Sequence, residues 1–90
     1  MHDAKRWNIV VDIDEHDGRT RAIARLLADG DTGRMVGVGT ARLSPDDEDV
    51  PRIGDELAAA RALSELGHRL LDAAAADIEG ITHRPAHLHL

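Results

Sequence analysis

The chain has 90 residues, a formal net charge of −6 and no cysteine. A chain of this length forms one domain and buries only about 60–65% of its unfolded surface. The acidic balance argues against non-specific nucleic-acid binding, and the lack of cysteine excludes disulfides and thiolate chemistry. No apolar run reaches the roughly 18 residues of a membrane span. We expect one cytoplasmic domain over residues 1–90, with an ordered core of about 6–80 and a flexible His-rich tail at 81–90.

Three short segments predict a β-meander. From Trp7 to Asp14, apolar residues occupy the odd positions and polar residues most even ones, which is the period of a half-buried strand. Glu15–Gly18 has turn composition, and the alternation resumes over Arg19–Leu27. A second turn is predicted at Asp29–Gly33 and a third strand at Met35–Leu43.

The first two strands are predicted to pair around a four-residue loop between Asp14 and Arg19. A one-residue slip would turn every apolar side chain to the other face, so the pattern restricts the register. The expected pairs are Trp7 with Leu26, Ile9 with Ala24 and Val11 with Ala22 inside, and Asp12 with Arg21 and Asp14 with Arg19 outside.

The predicted helix is long and follows an acidic connector, Ser44–Arg52. Residues Ile53–Gly80 repeat apolar side chains at helical spacing, and about 1.5 Å per residue makes the helix nearly 40 Å long. It must therefore cross the sheet diagonally or overhang it. The stripe expected to lie on the sheet is Ile53, Leu57, Ala60, Leu63, Leu66, Gly67, Leu70, Leu71, Ala74 and Ile78. The predicted fold is α+β: a three-stranded antiparallel β-meander followed by one long C-terminal helix packed on one sheet face.

Small residues on the inner sheet face predict a close approach of the helix. They are Ala22, Ala24, Gly37, Gly39 and Ala41. Gly67 costs about 1 kcal/mol in a helix interior relative to alanine. We interpret it as the point where the helix contacts this floor, by which we mean the small residues of the inner sheet face.

Two constellations could suggest ligand chemistry, and each has a simpler interpretation. Gly37–Gly39 lacks the third glycine and the following helix of a dinucleotide-binding turn. Glu65, His68 and Asp72 share one helix face, where they could hold a metal, but Arg69 can pair with Glu65 as on an ordinary solvated face.

The tail histidines could bind a transition metal only adventitiously, because no rigid scaffold surrounds them. They are His83, His87 and His89. Neither Ser44 nor Ser64 has a context suited to nucleophilic catalysis, and the chain contains no cysteine and no tyrosine. We predict no catalytic, cofactor-binding or metal site, no cofactor and no enzymatic activity.

Two groups of residues point away from the predicted helix, on what we call the outer face of the sheet. The basic group could contact phosphates or could pair with Asp12 and Asp14; it comprises Arg19, Arg21, Arg25 and Arg42. The apolar group would be exposed in a monomer and is typical of an interface; it comprises Val10, Ile23, Leu27, Val36 and Val38. We predict a homodimer formed through this face or through a sheet edge.

The segments Met35–Asp47 and Ile53–Leu66 resemble a family of short actinobacterial proteins of uncharacterised function. The resemblance covers about Trp7 to Ile78, and its most specific elements are Ile53–Ala58 and Arg61–Ser64. It implies a fold like the double-stranded-RNA-binding domain. It also links some members to hypoxia and dormancy responses, with a shape likened to ribosome hibernation factors.

RNA binding is not expected to follow from that resemblance. Double-stranded-RNA-binding domains carry lysines at the start of the final helix, where this chain has Asp55 and Glu56, and a fold alone does not define a function. The first hypothesis is a stress- or dormancy-associated protein that acts through ribosome or protein contacts. The alternatives are a plain protein-interaction module and, third, an RNA binder using the four arginines.

Overall fold

The structure is a computed structural model that describes residues 3–28, 35–43 and 50–90. It contains β1 (Asn8–His16), β2 (Arg19–Leu27), β3 (Val36–Arg42) and α1 (Pro51–Thr82). The strands form one antiparallel sheet in the order β1-β2-β3. The predicted α+β fold, a meander followed by one long helix, is therefore confirmed. The second predicted turn and most of the predicted connector lie outside the described residues.

The predicted β1–β2 register was wrong by two residues. Ile9 lies opposite Leu26 and Val11 opposite Ala24, and the loop contains only Asp17 and Gly18. Their φ angles are +52° and +71°, and positive φ at both central residues is the type I′ turn whose twist matches the flanking strands. Because a shift of two residues preserves the side-chain alternation, every residue remains on its predicted face.

The corrected register also changes the charge pairs of the outer face. Asp12 lies opposite Ile23 rather than Arg21, and Asp14 lies opposite Arg21 rather than Arg19. The carboxylate of Asp12 instead accepts a hydrogen bond from Nη1 of Arg25 at 2.5 Å, diagonally across the two strands.

The buried ridge of the helix shares only Leu66 with the predicted stripe, although Leu70 of that stripe also packs against the core. Ala58, Ala62 and Leu66, spaced four apart, are its only buried residues. Ile53, Leu57, Leu63 and Ile78 of the predicted stripe are exposed. The whole buried cluster is Ala22, Ala24, Leu26, Ala41, Ala58, Ala62 and Leu66.

Glycines in β3 explain why the alanine ridge is preferred. A Cβ on Gly37 would lie 2.5 Å from the backbone nitrogen of Leu66, and one on Gly39 would lie 2.7 Å from Cβ of Arg61. The helix backbone therefore rests almost directly on the strand, and at Ala58 and Ala62 no side chain larger than that of alanine fits between them. The expectation that Gly67 contacts this floor was wrong, because a Cβ there would meet only the side chain of Leu90, at 3.5 Å.

The helix overhangs the sheet along the strand direction. Gly39 approaches Ala58 and Ala62, and Gly37 approaches Ala62 and Leu66. Two strand residues cover about 7 Å and four helix residues about 6 Å, so the two axes are nearly antiparallel. The last dozen residues of α1 therefore continue beyond the sheet, and the longest dimension of the molecule reaches 52 Å.

Both ends of the helix lie outside the predicted bounds. It begins at Pro51, a position that suits proline because the first helical N–H has no partner in the helix. It continues past Gly80 and ends at Thr82, where His83 adopts a left-handed conformation (φ +58°) and donates its N–H to the Glu79 carbonyl.

The tail turns back along the helix. The N–H of Ala86 donates to Oε1 of Glu79 at 2.9 Å, and the Leu90 side chain reaches Gly67. These contacts place the tail on the side of α1 away from the sheet. Its flexibility, like the division of the chain into one domain, stays a prediction.

Candidate interaction surface

The outer face of the sheet carries the predicted basic group in two different environments. Arg25 is bound by Asp12. At the hairpin end of the sheet, Arg19 lies directly opposite Arg42, with His16 on the other side of Arg19. An open depression of about 470 Å³ at this end is lined by Asp14, His16, Asp17, Arg19, Arg21 and Arg42.

Three arginines of the basic group, Arg19, Arg21 and Arg42, line the depression, whereas Arg25 is held in an ion pair with Asp12. Like charges directly opposite one another destabilise a sheet. An anion bound between Arg19 and Arg42 would therefore reduce the repulsion between them. Asp14 and Asp17 line the same depression and reduce its positive potential. The structure therefore brings together three of the four predicted arginines and removes Arg25 from them.

The predicted apolar group is contiguous but only partly accessible. Ile23 lies opposite Val38, and Val10 and Val36 lie on either side of Arg25. Val10, Leu27 and Val38 are exposed, whereas Ile23 and Val36 are half-buried. The group forms an apolar surface crossed by the Arg25–Asp12 ion pair.

A second exposed apolar surface lies on the helix side of β1, where we predicted core residues. Trp7, Ile9 and Ile13 are 54%, 46% and 45% exposed, and only Val11 packs against the core. The helix lies over β2 and β3, where most inner residues are alanine or glycine, and leaves most of β1 uncovered. That size difference between strands was visible in the sequence and could have identified β1 as the uncovered strand.

The free edge of β3 is covered by two side chains of the helix. The N–H of Val38 donates to Oε2 of Glu65 at 2.5 Å, and Nη1 of Arg61 donates to the carbonyl of Thr40 at 2.7 Å. Unpaired edge groups invite pairing with another chain, and charged side chains over an edge oppose it. This edge is therefore closed to strand addition.

Glu65 is the one acid in the described residues with a clear pKa shift. The Val38 N–H is the main cause, followed by the Arg69 side chain at 3.1 Å, and both hold the pKa of Glu65 below its ordinary value. The carboxylate of Glu65 therefore covers the sheet edge. His68, which shares its helix face, donates its Nδ1–H to the carbonyl oxygen of Ser64 at 2.8 Å.

This shift makes the contribution of Glu65 to stability dependent on pH. A lowered pKa in the folded state stabilises the fold above the ordinary value of 4.5, and the contribution disappears as the pH falls through the lowered value. Glu65→Gln should therefore reduce the free energy of unfolding at neutral pH, with the difference from wild type vanishing in acid. Urea titrations at both pH values measure this. Glu56→Gln, on the exposed part of the same helix, is the control, and an equal loss in both variants would contradict the assignment.

Residues 3–28, 35–43 and 50–90 contain no group of three or more histidines and acids placed to hold a metal ion. Within these same ranges, no helix combines the length and the apolar character that crossing a membrane requires.

Comparison with known proteins identifies relatives over nearly the whole chain. Residues 5–87 match the Rv2632c-like family. The chain belongs to that family. Its relatives include the uncharacterized protein Mb1767 of Mycobacterium bovis, which is 53% identical over 97% of this chain and 90% of the relative. Another is the uncharacterized protein Rv2632c of Mycobacterium tuberculosis, 56% identical over 93% of this chain and 88% of the relative.

The crystal structure of Rv2632c has the same fold. It superposes with a TM-score of 0.82 at 55% identity, and the match covers 93% of this chain and 98% of that one. The predicted resemblance to short actinobacterial proteins of uncharacterised function is thereby confirmed for the Rv2632c-like family. The likeness to double-stranded-RNA-binding domains and the link to dormancy stay predictions.

Proposed function

We propose that this member of the Rv2632c-like family is a non-enzymatic cytoplasmic binding protein. It associates with itself and uses the outer face of its sheet to bind another protein, with a protein surface of the ribosome as the specific candidate. A role in stress or dormancy belongs to the same proposal and comes from the family resemblance. The observation that carries the proposal is the exposure of large apolar side chains on both faces of a sheet whose buried core is mostly alanine.

The test uses co-sedimentation with purified ribosomes in a sucrose gradient. Leu27→Lys places a charge in the exposed apolar group of the outer face and should weaken binding at least tenfold, which equals about 1.4 kcal/mol. Ile53→Lys is the matched control, because Ile53 is 54% exposed against 49% for Leu27 and lies on the helix. Wild-type protein that stays at the top of the gradient would refute the ribosome as the partner.

The depression at the hairpin end supports RNA binding as the second candidate. Phosphate contacts through Arg19, Arg21 and Arg42 would make the affinity fall steeply with salt, whereas an apolar protein contact would not. Repeating the gradients at two salt concentrations with Arg42→Glu separates the two. Loss of binding in that variant and in high salt favours RNA over protein.

A further inference from the structure

We infer that β1 is the self-association edge of this protein, and that two copies pair antiparallel about Val10 to form one six-stranded sheet. The inference rests on the proposed self-association and names its surface. It starts from the difference between the two sheet edges: Glu65 and Arg61 cover β3, whereas no segment of the described residues pairs with the outer side of β1.

The hydrogen-bond pattern shows which residues of β1 have free backbone groups. The N–H of Leu26 donates to the carbonyl of Met35 at 2.9 Å, so even-numbered residues of β2 bond to β3. Successive residues of a strand point to opposite sides, so the odd-numbered residues of β2 bond to β1. In the observed register their partners are the even-numbered residues of β1. Ile9, Val11 and Ile13 therefore direct their N–H and carbonyl groups to the free edge.

Ile9 and Ile13, whose backbone groups face the free edge, also carry exposed apolar side chains. A second strand would therefore both pair with the backbone and cover these side chains. Ile9 and Ile13 project onto the helix side, where α1 does not reach them. An added strand would supply backbone partners and place apolar neighbours beside them. The unpaired backbone edge of β1 and its exposed apolar side chains therefore point to the same binding surface.

Charge identifies the added strand as a second copy of β1. Lys5 and Arg6 directly precede the strand, and Asp14 and Glu15 lie near its end. None of these four residues forms an ion pair within the described part of the chain. Antiparallel pairing about Val10 brings the basic start of each copy to the acidic end of the other.

Every pair in this register is apolar, polar–charged or of opposite charge. The pairs are Lys5 with Glu15, Arg6 with Asp14, Trp7 with Ile13, Asn8 with Asp12, Ile9 with Val11, and Val10 with itself. Moving the axis to Val11 would place Arg6 opposite His16, and moving it to Asp12 would place two acids together. Opposite charges stabilise and like charges destabilise such pairs, so charge selects the register about Val10.

The single chain exposes more surface than a compact domain of its size. It exposes 7298 Å², whereas a compact monomer of this mass exposes about 5,100 Å². The radius of gyration is 16.7 Å, against about 12 Å for a compact domain of this length. A standard interface removes about 800 Å² of accessible surface from each partner. This area is smaller than the difference between the exposed surface of this chain and that of a compact monomer.

The test is a charge exchange read by sedimentation equilibrium. Lys5→Glu and Glu15→Lys should each raise the dimer dissociation constant about tenfold, and the double variant should return it close to wild type, because the exchanged charges again face each other. Trp7 is the only aromatic residue of the chain and would lie beside Ile13 of the second copy. Its emission should therefore shift to shorter wavelength as the protein dimerises.

Two further variants separate this edge from the outer face. Ile9→Pro removes an edge N–H without removing a bond to β2 and should abolish the dimer, with circular dichroism confirming the monomer fold. Leu27→Lys should leave the dimer intact. A dimer broken by Leu27→Lys and kept by Ile9→Pro would overturn the β1 edge but retain self-association. A double exchange without recovery would overturn the register, and a monomeric wild type would overturn self-association itself while leaving the ribosome test standing.

Discussion

Gly39→Ala is expected to lower the free energy of unfolding by about 3 kcal/mol, although it adds a single methyl group. The new Cβ would lie 2.7 Å from Cβ of Arg61 and would meet backbone atoms of Ala58 and Ala62 as well. Helix backbone cannot rotate aside as a long side chain can, so α1 must move away from β3. In an ordinary strand the same change would be neutral or stabilising, because glycine has the higher conformational entropy when unfolded.

Urea denaturation followed by far-ultraviolet circular dichroism measures this loss. Gly67→Ala is the matched control, because it adds the same methyl group on the opposite side of the helix, at ordinary contact distance from Leu90. The control should be neutral or should stabilise by up to about 1 kcal/mol through helix propensity. Equal losses in the two variants would show that the helix does not rest on β3 as described.

Leu66→Ala is expected to have a comparable effect for the opposite reason, because it leaves a cavity. Leu66 is 1% exposed and, among the residues that the structure describes, is one of two large side chains that are fully buried; the other is Leu26. Truncating a buried leucine usually costs between about 2 and 5 kcal/mol. In a core made mostly of alanine, few neighbours can move in to fill the space, so we expect about 3 kcal/mol.

The comparison for Leu66→Ala is Leu63→Ala, three positions earlier in the same helix. Leu63 is 42% exposed, so its truncation should cost less than about 1 kcal/mol in the monomer. The two variants have the same helix propensity and differ only in burial. A larger loss at Leu63, measured by the same denaturation at low protein concentration, would mean that the side of the helix that carries Leu63 packs on the sheet instead.

The helix shows why its buried face was not predictable from apolar spacing alone. Ile53, Leu57 and Leu63 repeat at helical spacing, as does the ridge of Ala58, Ala62 and Leu66. Hydrophobicity favours the larger side chains. The sheet beneath favours the ridge that carries Ala58 and Ala62, because Gly37 and Gly39 admit the helix backbone so closely that larger side chains at these two helix positions would not fit.

The candidate surface was predicted in part. The outer-face residues were correctly placed on one face, since alternation depends only on the parity of the strand positions. The uncovered side of β1 was missed, because the pattern shows that Trp7, Ile9 and Ile13 share the helix side but not that the helix lies elsewhere. The pairing of Arg25 with Asp12 was missed because the turn was predicted two residues too long.

The sequence by itself determined the order of three strands and a helix, the face of every strand residue and the basic and acidic ends of β1. These follow from local chemistry: the period of two, the period of 3.6 and the positive φ that Asp17 and Gly18 accept. Only the tertiary structure decided where the helix rests, which face it buries and which sheet edge it covers. Those choices depend on the fit between elements distant in the chain, and no local pattern contains the shape of the surface that a helix will meet.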